Sequence, residues 1–584
     1  MNRPRWTSLV VGSVLYGGSM LISQSAQGQS LNVVYPPLEH QTVSDRIFFI
    51  GTADASVPVT INGETIDQRS PSGHFAPTLP LSLGENRFTI RHQGTSQTFT
   101  VTRLPQTPPQ PTGTTFAENT LLPNRNLARL PGELVCFEAV APAESMVSVQ
   151  LANQQIPLQP VATVDLPPNY SVLTDQTAPF EAAPTYAGCA TFSQPGSYGV
   201  PAFQLTVGGE TVSQVGEGAI AILSPLTFQI TEVTAESGVA RTGPSTNHSR
   251  LTPLPQGTQA TITGREGEWL RLDYGGWIKE SETRVFDSPI PNRTTIRGIR
   301  SEQGTDWTDV IFPLQTPVPV SIQQDAQSLT LTLYNTTAET DTIFFSENPV
   351  IERMDWQPIL PDTAAYTFHY KTDQQWGYQL RYEGTNLILS LRHGPPAGSA
   401  LQGTKIVLDP GHGGDELGAR GPDGTPEKVV NLIVSQLLKQ ELEARGAQVL
   451  MTRESDEFIS LRDRMEFIAD AEPTLALSIH YNALPDNGDA IDTAGIGAFW
   501  YHPQAHDLAV FLHNYLIDTL DRPEYGVFWN NLALTRPNAA PTVLLELGFM
   551  INPFEYEWVS DPVEQQKLAT ALADGVEQWV ASNR

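Results

Sequence analysis

Four residues in the C-terminal third of the chain have side chains that could bind a metal or move a proton: His412, Glu427, His480 and Glu546. Two imidazoles and a carboxylate form a ligand set that zinc accepts, and a hydrolytic zinc site keeps one position for water. A second carboxylate close by could act as a general base. The alternative is that both histidines are ordinary loop and core residues, two of the eleven in the chain. Spacing alone does not decide, because the sequence contains no HExxH pair.

The surroundings of His412 and Glu427 predict a strand, a tight loop and a helix. Residues 405–409 (KIVLD) have the pattern of a short buried strand, and the proline and glycines that follow force a turn. His412 is therefore expected on a loop at a strand end. The Thr-Pro pair before Glu427 offers an N-cap and a first helical residue, and apolar residues recur at helical spacing over 427–445. We expect Glu427 in the first turn of this helix.

His480 and Glu546 both belong to apolar, strand-like runs. His480 follows the run 475–479, whereas Glu546 lies inside the run 543–549. Charged side chains are seldom fully buried without a partner, so the position of Glu546 requires a structural or chemical reason.

Strand and helix patterns alternate from 403 to 584, which predicts an α/β catalytic domain with a largely parallel sheet flanked by helices. In open α/β sheets, ligand sites collect at the carboxyl ends of the strands. His502 and His506 have helical spacing, but Pro503 interrupts it, so both are expected at the surface. The glycine-rich loop 411–424 lacks the Lys-Ser/Thr ending of a phosphate-binding loop.

Five ordered motifs in this region resemble one enzyme family. They are DPGHGGDELGARG, PEKVVNL, MTRESDEFISLRDR, LALSIHYNA and TVLLELGFMINPFEYEWV. Together they closely resemble the zinc-dependent N-acetylmuramoyl-L-alanine amidases of the type 3 class, which remodel bacterial cell walls. The resemblance covers about 403–584.

The resemblance implies roles for the four residues. The family's zinc ligands fall on His412, Glu427 and His480, and its catalytic carboxylate falls on Glu546. Zinc would lower the pKa of its water towards about 7, and Glu546 would take the proton and return it to the leaving amine. The bond cut in this family joins the lactyl group of N-acetylmuramic acid to L-alanine. Peptidoglycan is then the expected substrate, and an activator protein a possible partner.

The N-terminus and the composition predict export. Residues 1–28 carry two arginines, a short apolar run and then small residues, which is the layout of a secretory signal peptide; an uncleaved anchor is the alternative. No membrane span is expected after its removal, and the periplasm or cell envelope is the expected location. The formal net charge of −29 argues against nucleic acid and anionic lipid as partners.

The region between the signal and the catalytic domain predicts several all-β sandwich and barrel modules. The predicted units are an immunoglobulin-like module, a Pro-rich linker, a second sandwich, a bacterial Src-homology-type small barrel and a β-rich targeting module, at 31–104, 105–127, 128–226, 228–288 and 290–393. Cys136 and Cys189 could form a disulfide or remain two buried thiols. In the small barrel, the candidate peptide-contacting aromatics are Trp269, Tyr274 and Trp277, with a core position the favoured alternative for Trp269.

These modules carry no cluster of ionisable groups at strand ends, so we expect them to bind and position rather than catalyse. A fragment from about Gly403 to Arg584 is then expected to fold alone and act on soluble muropeptide. Two other functions stay open. One is a wall-binding scaffold with an inactive hydrolase domain, although none of the four residues is substituted. The other is a zinc peptidase acting on stem peptides.

Overall fold

A computed structural model describes residues 30–105, 111–162, 164–165, 180–181, 185–360, 362–396, 398 and 401–583, without the side chains of 164–165 and 180–181. The predicted signal peptide lies outside these residues. Among the helices of the described part, none has the length and apolar character to cross a membrane.

The first β-module, residues 31–104, has a core of alternating inward side chains such as Ile47, Phe49 and Phe75. Asn62 and Gly63 form a two-residue hairpin turn, and both have positive φ, 51° and 91°, as such a turn requires. Its strands are Asn32–Tyr35, Glu39–Thr42, Arg46–Phe48, Ile50–Thr52, Thr60–Ile61, Glu64–Thr65, His74–Phe75, Thr78–Pro80, Gly84–His92 and Thr95–Arg103.

The second β-module contains a six-stranded antiparallel sheet in which Cys136 and Cys189 lie opposite each other and form a disulfide. Phe116 and Leu121, from the stretch predicted as a linker, are buried in its core. Its strands are Leu134–Val140, Met146–Leu151, Gln154–Val161, Thr185–Thr191, Ala202–Val207 and Glu210–Val215, and a separate pair is Val164–Asp165 with Phe180–Glu181.

An eight-stranded sheet joins the second module to the small barrel, because Leu127–Arg129 pairs with both Ile220–Ile222 and Gln259–Glu266. The predicted boundary at 226–228 therefore divides one continuous sheet. The other strands of this sheet are Gly196–Gly199, Phe228–Val233, Trp269–Leu272, Trp277–Lys279 and Thr283–Ser288; Ser237–Gly238 pairs with Leu254–Pro255, and a 3-10 turn spans Glu280–Glu282.

The candidate peptide-contacting aromatics of the barrel are packed inside the protein. Trp269 and Trp277 are buried, and the buried Tyr274 hydroxyl faces no solvent while its ring packs on Tyr334, with centroids 5.0 Å apart. The barrel's own core cluster contains neither tryptophan, and the partly buried Tyr274 packs against that cluster from outside. Neighbouring modules contribute to the burial of two of these aromatics, since Arg129 of the second module lies over the Trp277 ring and Tyr334 of the fourth module packs on Tyr274.

The fourth β-module packs two sheets around one apolar core. The five-stranded sheet contains Thr294–Gln303, Trp307–Pro313, Thr336–Phe344, Tyr378–Glu383 and Asn386–Arg392, and the four-stranded sheet contains Val320–Gln324, Ser328–Tyr334, Ile351–Leu360 and Thr363–Tyr370.

The C-terminal domain alternates strands and helices as predicted. We number its strands β1 (Lys405–Pro410), β2 (Gln448–Met451), β3 (Leu475–Asn482), β4 (Ile496–Trp500), β5 (Glu524–Trp529) and β6 (Thr542–Phe549). Its helices are α1 (Glu427–Ala444), α2 (Leu461–Ala471), α3 (Pro503–Leu520), α4 (Glu555–Val559) and α5 (Pro562–Ser582), with a 3-10 turn at Ala533–Thr535.

These strands form one six-stranded sheet in the order β2-β1-β3-β6-β4-β5. All neighbours are parallel except β4 and β6, which run antiparallel. Helices α1, α3 and α5 cover one face, where Leu408, Leu477 and Leu545 point, and α2 covers the other with Val407 and Leu544. The carboxyl ends of β1, β3 and β6 meet at one edge, because these strands are parallel neighbours.

Two local expectations in this domain are wrong. The N-cap position of α1 is Pro426 rather than Thr425, and no side chain caps it. His502 is partly buried rather than fully exposed: it precedes α3, its Nε2 donates to Arg536 O at 2.8 Å, and burial lowers its pKa to about 4. Pro503 starts α3 instead of breaking it, because the first helical turn needs no N–H from that residue. His506 is exposed, as expected.

Candidate metal centre

The loop after β1 places His412 by means of unusual backbone conformations. His412 itself has a positive φ of 60°, and glycines flank it on both sides. A Cβ at position 411 would lie 2.1 Å from His480 Cε1, and one at position 418 would lie 2.7 Å from His412 Cδ2. Gly411 and Gly418 are therefore required by close packing around the two imidazoles, which explains the glycine-rich motif.

Glu427 lies at the first position of α1, and its buried carboxylate is surrounded by hydrogen-bond donors. Its Oε1 accepts hydrogen bonds from Asn431 Nδ2 at 3.0 Å and Tyr481 N at 3.1 Å, and its Oε2 accepts one from Ala419 N at 2.8 Å. Only 3% of Glu427 is exposed. The carboxylate is therefore held by donors from three elements: the loop after β1, helix α1 itself and strand β3.

The structure brings His412, Glu427 and His480 together. His412 Nε2 lies 3.2 Å from Glu427 Oε2, and His480 Nδ1 lies 3.1 Å from Glu427 Oε1. Each residue offers one ligand atom, and these three atoms lie within 4.8 Å of one another. The His412 and His480 side chains keep 29% and 16% of their surface, so the cluster is open to solvent on the imidazole side.

The charges of this cluster are coupled. Burial would raise the pKa of Glu427, but hydrogen bonds from His412 and His480 and their positive charge hold it well below its usual range. Burial would lower the pKa of His412. The hydrogen bond to Glu427 and the negative charge of Glu427 have the opposite and larger effect, so the pKa of His412 is raised. An ionised carboxylate beside two imidazoles is a donor set that suits a divalent cation with nitrogen and oxygen ligands.

Glu546 lies beside this cluster on β6, where its position in the sheet pairs with His480 on β3. Although the residue retains some exposed surface, its Oε2 is buried and has no hydrogen-bond partner among the described residues. Burial, and then the negative charge of Glu427, raises the pKa of Glu546 well above its usual value. An unpartnered buried carboxyl next to a metal-ligand set is the arrangement expected of an acid-base group.

A buried ion pair beneath the loop after β1 was not predicted from the sequence. Arg464 Nη1 donates to Asp409 Oδ1 at 2.6 Å, and Arg464 Nη2 donates to His412 O at 2.6 Å. Thr452 and Ser478 hydroxyls also donate to Asp409. The available signal was the arginine pair in LRDR at the start of α2, where one arginine had to face the sheet.

Comparison with known proteins identifies this domain. Residues 406–578 match the family described as N-acetylmuramoyl-L-alanine amidase. The C-terminal domain belongs to this family. The chain is 33% identical over 184 residues to the probable cell wall amidase LytH of Staphylococcus epidermidis, a match over 31% of this chain and 60% of the relative. The Staphylococcus aureus protein of that name is 35% identical over 192 residues, with the same coverage. The chain thus spans about 60% of the length of these curated relatives.

Solved structures of amidases match about a third of this chain. An N-acetylmuramoyl-L-alanine amidase from Clostridium difficile 630 is 26% identical, with a TM-score of 0.30 and coverage of 32% of this chain and 100% of that chain. The amidase AmiC2 of Nostoc punctiforme is 28% identical, with a TM-score of 0.29 and coverage of 32% and 98%.

Proposed function

We propose that this protein is an exported cell-wall hydrolase that cleaves the amide bond between N-acetylmuramic acid and L-alanine in peptidoglycan. The observation that carries the proposal is the convergence of His412, Glu427 and His480 beside the unpartnered carboxyl of Glu546. Membership of the amidase family supports the choice of bond, since the four side chains by themselves fit hydrolysis of any accessible amide.

His412, Glu427 and His480 would hold zinc. Two imidazoles and one carboxylate match a catalytic zinc site with three protein ligands, and the separations of 3.1 and 3.2 Å within the cluster are short enough for one shared cation. Zinc in such a site supplies a water of lowered pKa and polarises a carbonyl oxygen. Asn431, Tyr481 and Ala419 support the carboxylate from behind and keep it oriented.

Glu546 is the acid-base residue of the proposal. Its carboxyl is buried on one side and adjoins His480, so it is close enough to the cluster to take a proton from water and return it to the leaving amine. A raised pKa makes the carboxylate a stronger base towards water and moves its pKa closer to the operating pH, so that both the proton-accepting and the proton-donating forms are accessible. Its rigid position on β6 keeps this group fixed between the two steps.

Location and partners follow from the same proposal. The substrate is an envelope polymer, so the protein acts in the periplasm or elsewhere in the cell envelope, in agreement with the disulfide in the second β-module. Control by an activator protein stays a prediction.

Product analysis tests the bond. Purified protein is incubated with purified peptidoglycan, with and without a chelator, and the released fragments are measured by mass spectrometry. An amidase releases intact stem peptides with a free L-alanine amino group and leaves unsubstituted glycan. Release of shortened peptides from a glycan that still carries L-alanine would instead favour the peptidase alternative, and release of no product at all would favour the inactive scaffold. Release of the amidase product unchanged by the chelator would contradict the role of zinc.

A further inference from the structure

The first β-module, residues 31–104, contacts the chain just beyond the carboxyl ends of β1, β3 and β6, the three strands at whose ends His412, His480 and Glu546 lie. We call the three segments after β1, β3 and β6 the strand-end segments: 411–426, 483–495 and 550–561. They leave the sheet at the edge where His412, His480 and Glu546 lie. This module, far away in sequence, contacts each of the three segments.

The first contact is with the segment that leads to Glu427. Asn32 Nδ2 donates to Asp423 O at 3.3 Å, and Val34 lies next to Gly424, where a Cβ would be 3.9 Å from its Cγ2. Asp423 Oδ1 accepts from Thr425 N at 2.8 Å, just before α1. This contact therefore supports the turn that delivers Glu427 to the cluster.

The second contact is with Asp486, six residues after His480. Tyr35 OH donates to Asp486 Oδ1, and His40 Nε2 lies 2.9 Å from Asp486 Oδ2. Burial would raise the pKa of Asp486, but the hydrogen bonds from Thr42, Tyr35 and His40 lower it. Among the described residues, no lysine or arginine pairs with Asp486, so the first module supplies the partners of this carboxylate.

The third contact is with the segment after β6. Ser72 N and Ser72 Oγ donate to the two oxygens of Glu557, both at 2.8 Å. His74 packs edge-on against Tyr556, with ring centroids 5.3 Å apart, and Tyr556 OH donates to Asp423 Oδ1 at 2.7 Å. The first and third strand-end segments are thereby joined to each other beneath the module.

An apolar seam lies between these polar contacts. In the run Ile47 to Ile50 all four residues are buried, although alternate side chains of a strand point to opposite faces. Ile47 and Phe49 belong to the module's own core. Their neighbours form a second cluster with residues of the amidase domain: Phe48, Ile50 and Ala76 from the module, and Ala490, Phe549 and Ile551 from the strand-end segments and the end of β6.

We propose that the first β-module is a positioning element of the amidase site, which holds the three strand-end segments through this seam and the contacts at Asp423, Asp486 and Glu557. Interfaces between independent modules are usually polar and allow movement, whereas this one buries apolar side chains on both sides. Phe549 is three residues from Glu546 on the same strand, so the seam includes the end of the strand that carries the acid-base group. This differs from the sequence-based expectation that residues 403–584 act alone.

Substitutions in the full chain test this inference, which rests on the proposed function for its kinetic part. Ile50→Asp puts a charge into the seam without touching the module's own core. We expect kcat on a soluble muropeptide to fall about 10- to 100-fold, with bound zinc retained and KM changed less. Amide hydrogen exchange should become faster in 483–495 and 550–561, and this readout does not depend on the reaction.

A second variant and a matched control keep the test decisive. Tyr35→Phe with Ser72→Ala removes hydrogen bonds at two contacts without adding charge, and should give a smaller fall in kcat in the same direction. Leu83→Asp adds the same charge at a side chain of this module that is 66% exposed, and should leave kcat unchanged.

Faster exchange in the strand-end segments with unchanged kcat on soluble substrate would overturn the inference, as would unchanged exchange. So would a loss restricted to insoluble peptidoglycan, which would make the module a wall-binding unit. If wild-type protein does not cleave the muramyl amide at all, the proposed function fails, while the exchange measurements still decide whether the module holds the segments.

Discussion

His480 and Glu546 occupy paired positions on the adjacent parallel strands β3 and β6. One is a candidate metal ligand and the other a candidate acid-base group, and the sheet fixes their separation. A site built on neighbouring strands is held more rigidly than one built on loops. Of the four candidate residues, only His412 depends on a loop, and that loop is anchored from below by Arg464.

Glu546→Gln should separate proton transfer from metal binding. Glutamine keeps the shape of the side chain but cannot accept the proton, so kcat should fall about 100- to 10,000-fold. Steady-state kinetics on soluble muropeptide measure this. Glu457→Gln, an exposed carboxylate near the loop after β1, is the control and should have wild-type kcat. A Glu546→Gln enzyme within a few-fold of wild type would remove Glu546 from the mechanism.

Arg464→Ala should destabilise the amidase domain by about 3 to 5 kcal/mol, because it leaves Asp409 buried and unpaired. The Arg464 and Asp409 side chains are only 3% and 2% exposed. Arg462→Ala on the same helix is the control: its pair with Glu466 is exposed and worth less than about 1 kcal/mol. Thermal unfolding of both variants measures the difference. Equal losses would mean that the buried pair is not an anchor.

Glu555 should make the amidase domain less stable as the pH rises from about 5 to about 7. Burial raises the pKa of Glu555 to about 7, against hydrogen bonds from Phe549 N and Gly495 N. Its pKa in the unfolded chain is about 4.3. Between these values the folded state binds more protons than the unfolded state, so stability falls with increasing pH, by about 3 kcal/mol in total.

Glu555→Gln should flatten this part of the pH profile. Glutamine does not titrate, although its amide nitrogen would face one backbone N–H and cost stability at every pH. Unfolding midpoints of wild type and variant between pH 5 and pH 8 provide the comparison. Parallel profiles for the two proteins would show that Glu555 does not titrate in this range.

The disulfide should stabilise the second β-module without affecting catalysis. Cys136 and Cys189 are 53 residues apart in sequence, and closing a loop of that size is worth about 4 kcal/mol in the unfolded-state entropy account. The double variant Cys136→Ser with Cys189→Ser should unfold this module at lower temperature and keep wild-type kcat on soluble muropeptide. A lower kcat with an otherwise folded amidase domain would mean that the second module also acts on the site.

Much of the amidase domain could be predicted from sequence, because its elements have strong local signals. The apolar runs at β1, β3 and β6 and the helical spacing of α1 predict the right types, and Ser460, a residue type that favours N-cap positions, caps α2. Strand β5 lacks such a signal: Glu524–Trp529 mixes glycine, a charge and aromatics, and it becomes a strand by pairing with β4.

The contacts between modules could not be predicted, because they join residues hundreds of positions apart. The run RIFFI did contain a signal: four consecutive apolar residues in a strand imply burial on both faces. Nothing in the sequence states what covers the second face. Likewise, the sequence motifs identify His412, Glu427 and His480 as candidates. That Oε2 of Glu546 is buried without a hydrogen-bond partner can be seen only in the structure.

The zinc content of purified Glu427→Gln and Glu546→Gln proteins tests the central claim most directly. As a ligand, Glu427 cannot be replaced by a neutral amide without weakening metal binding, so we expect zinc to be lost from this variant, as from His412→Ala. Glu546→Gln should retain zinc at the wild-type stoichiometry. Full zinc occupancy in Glu427→Gln, or loss of zinc from Glu546→Gln with retention in Glu427→Gln, would contradict the assignment of metal ligands and acid-base residue.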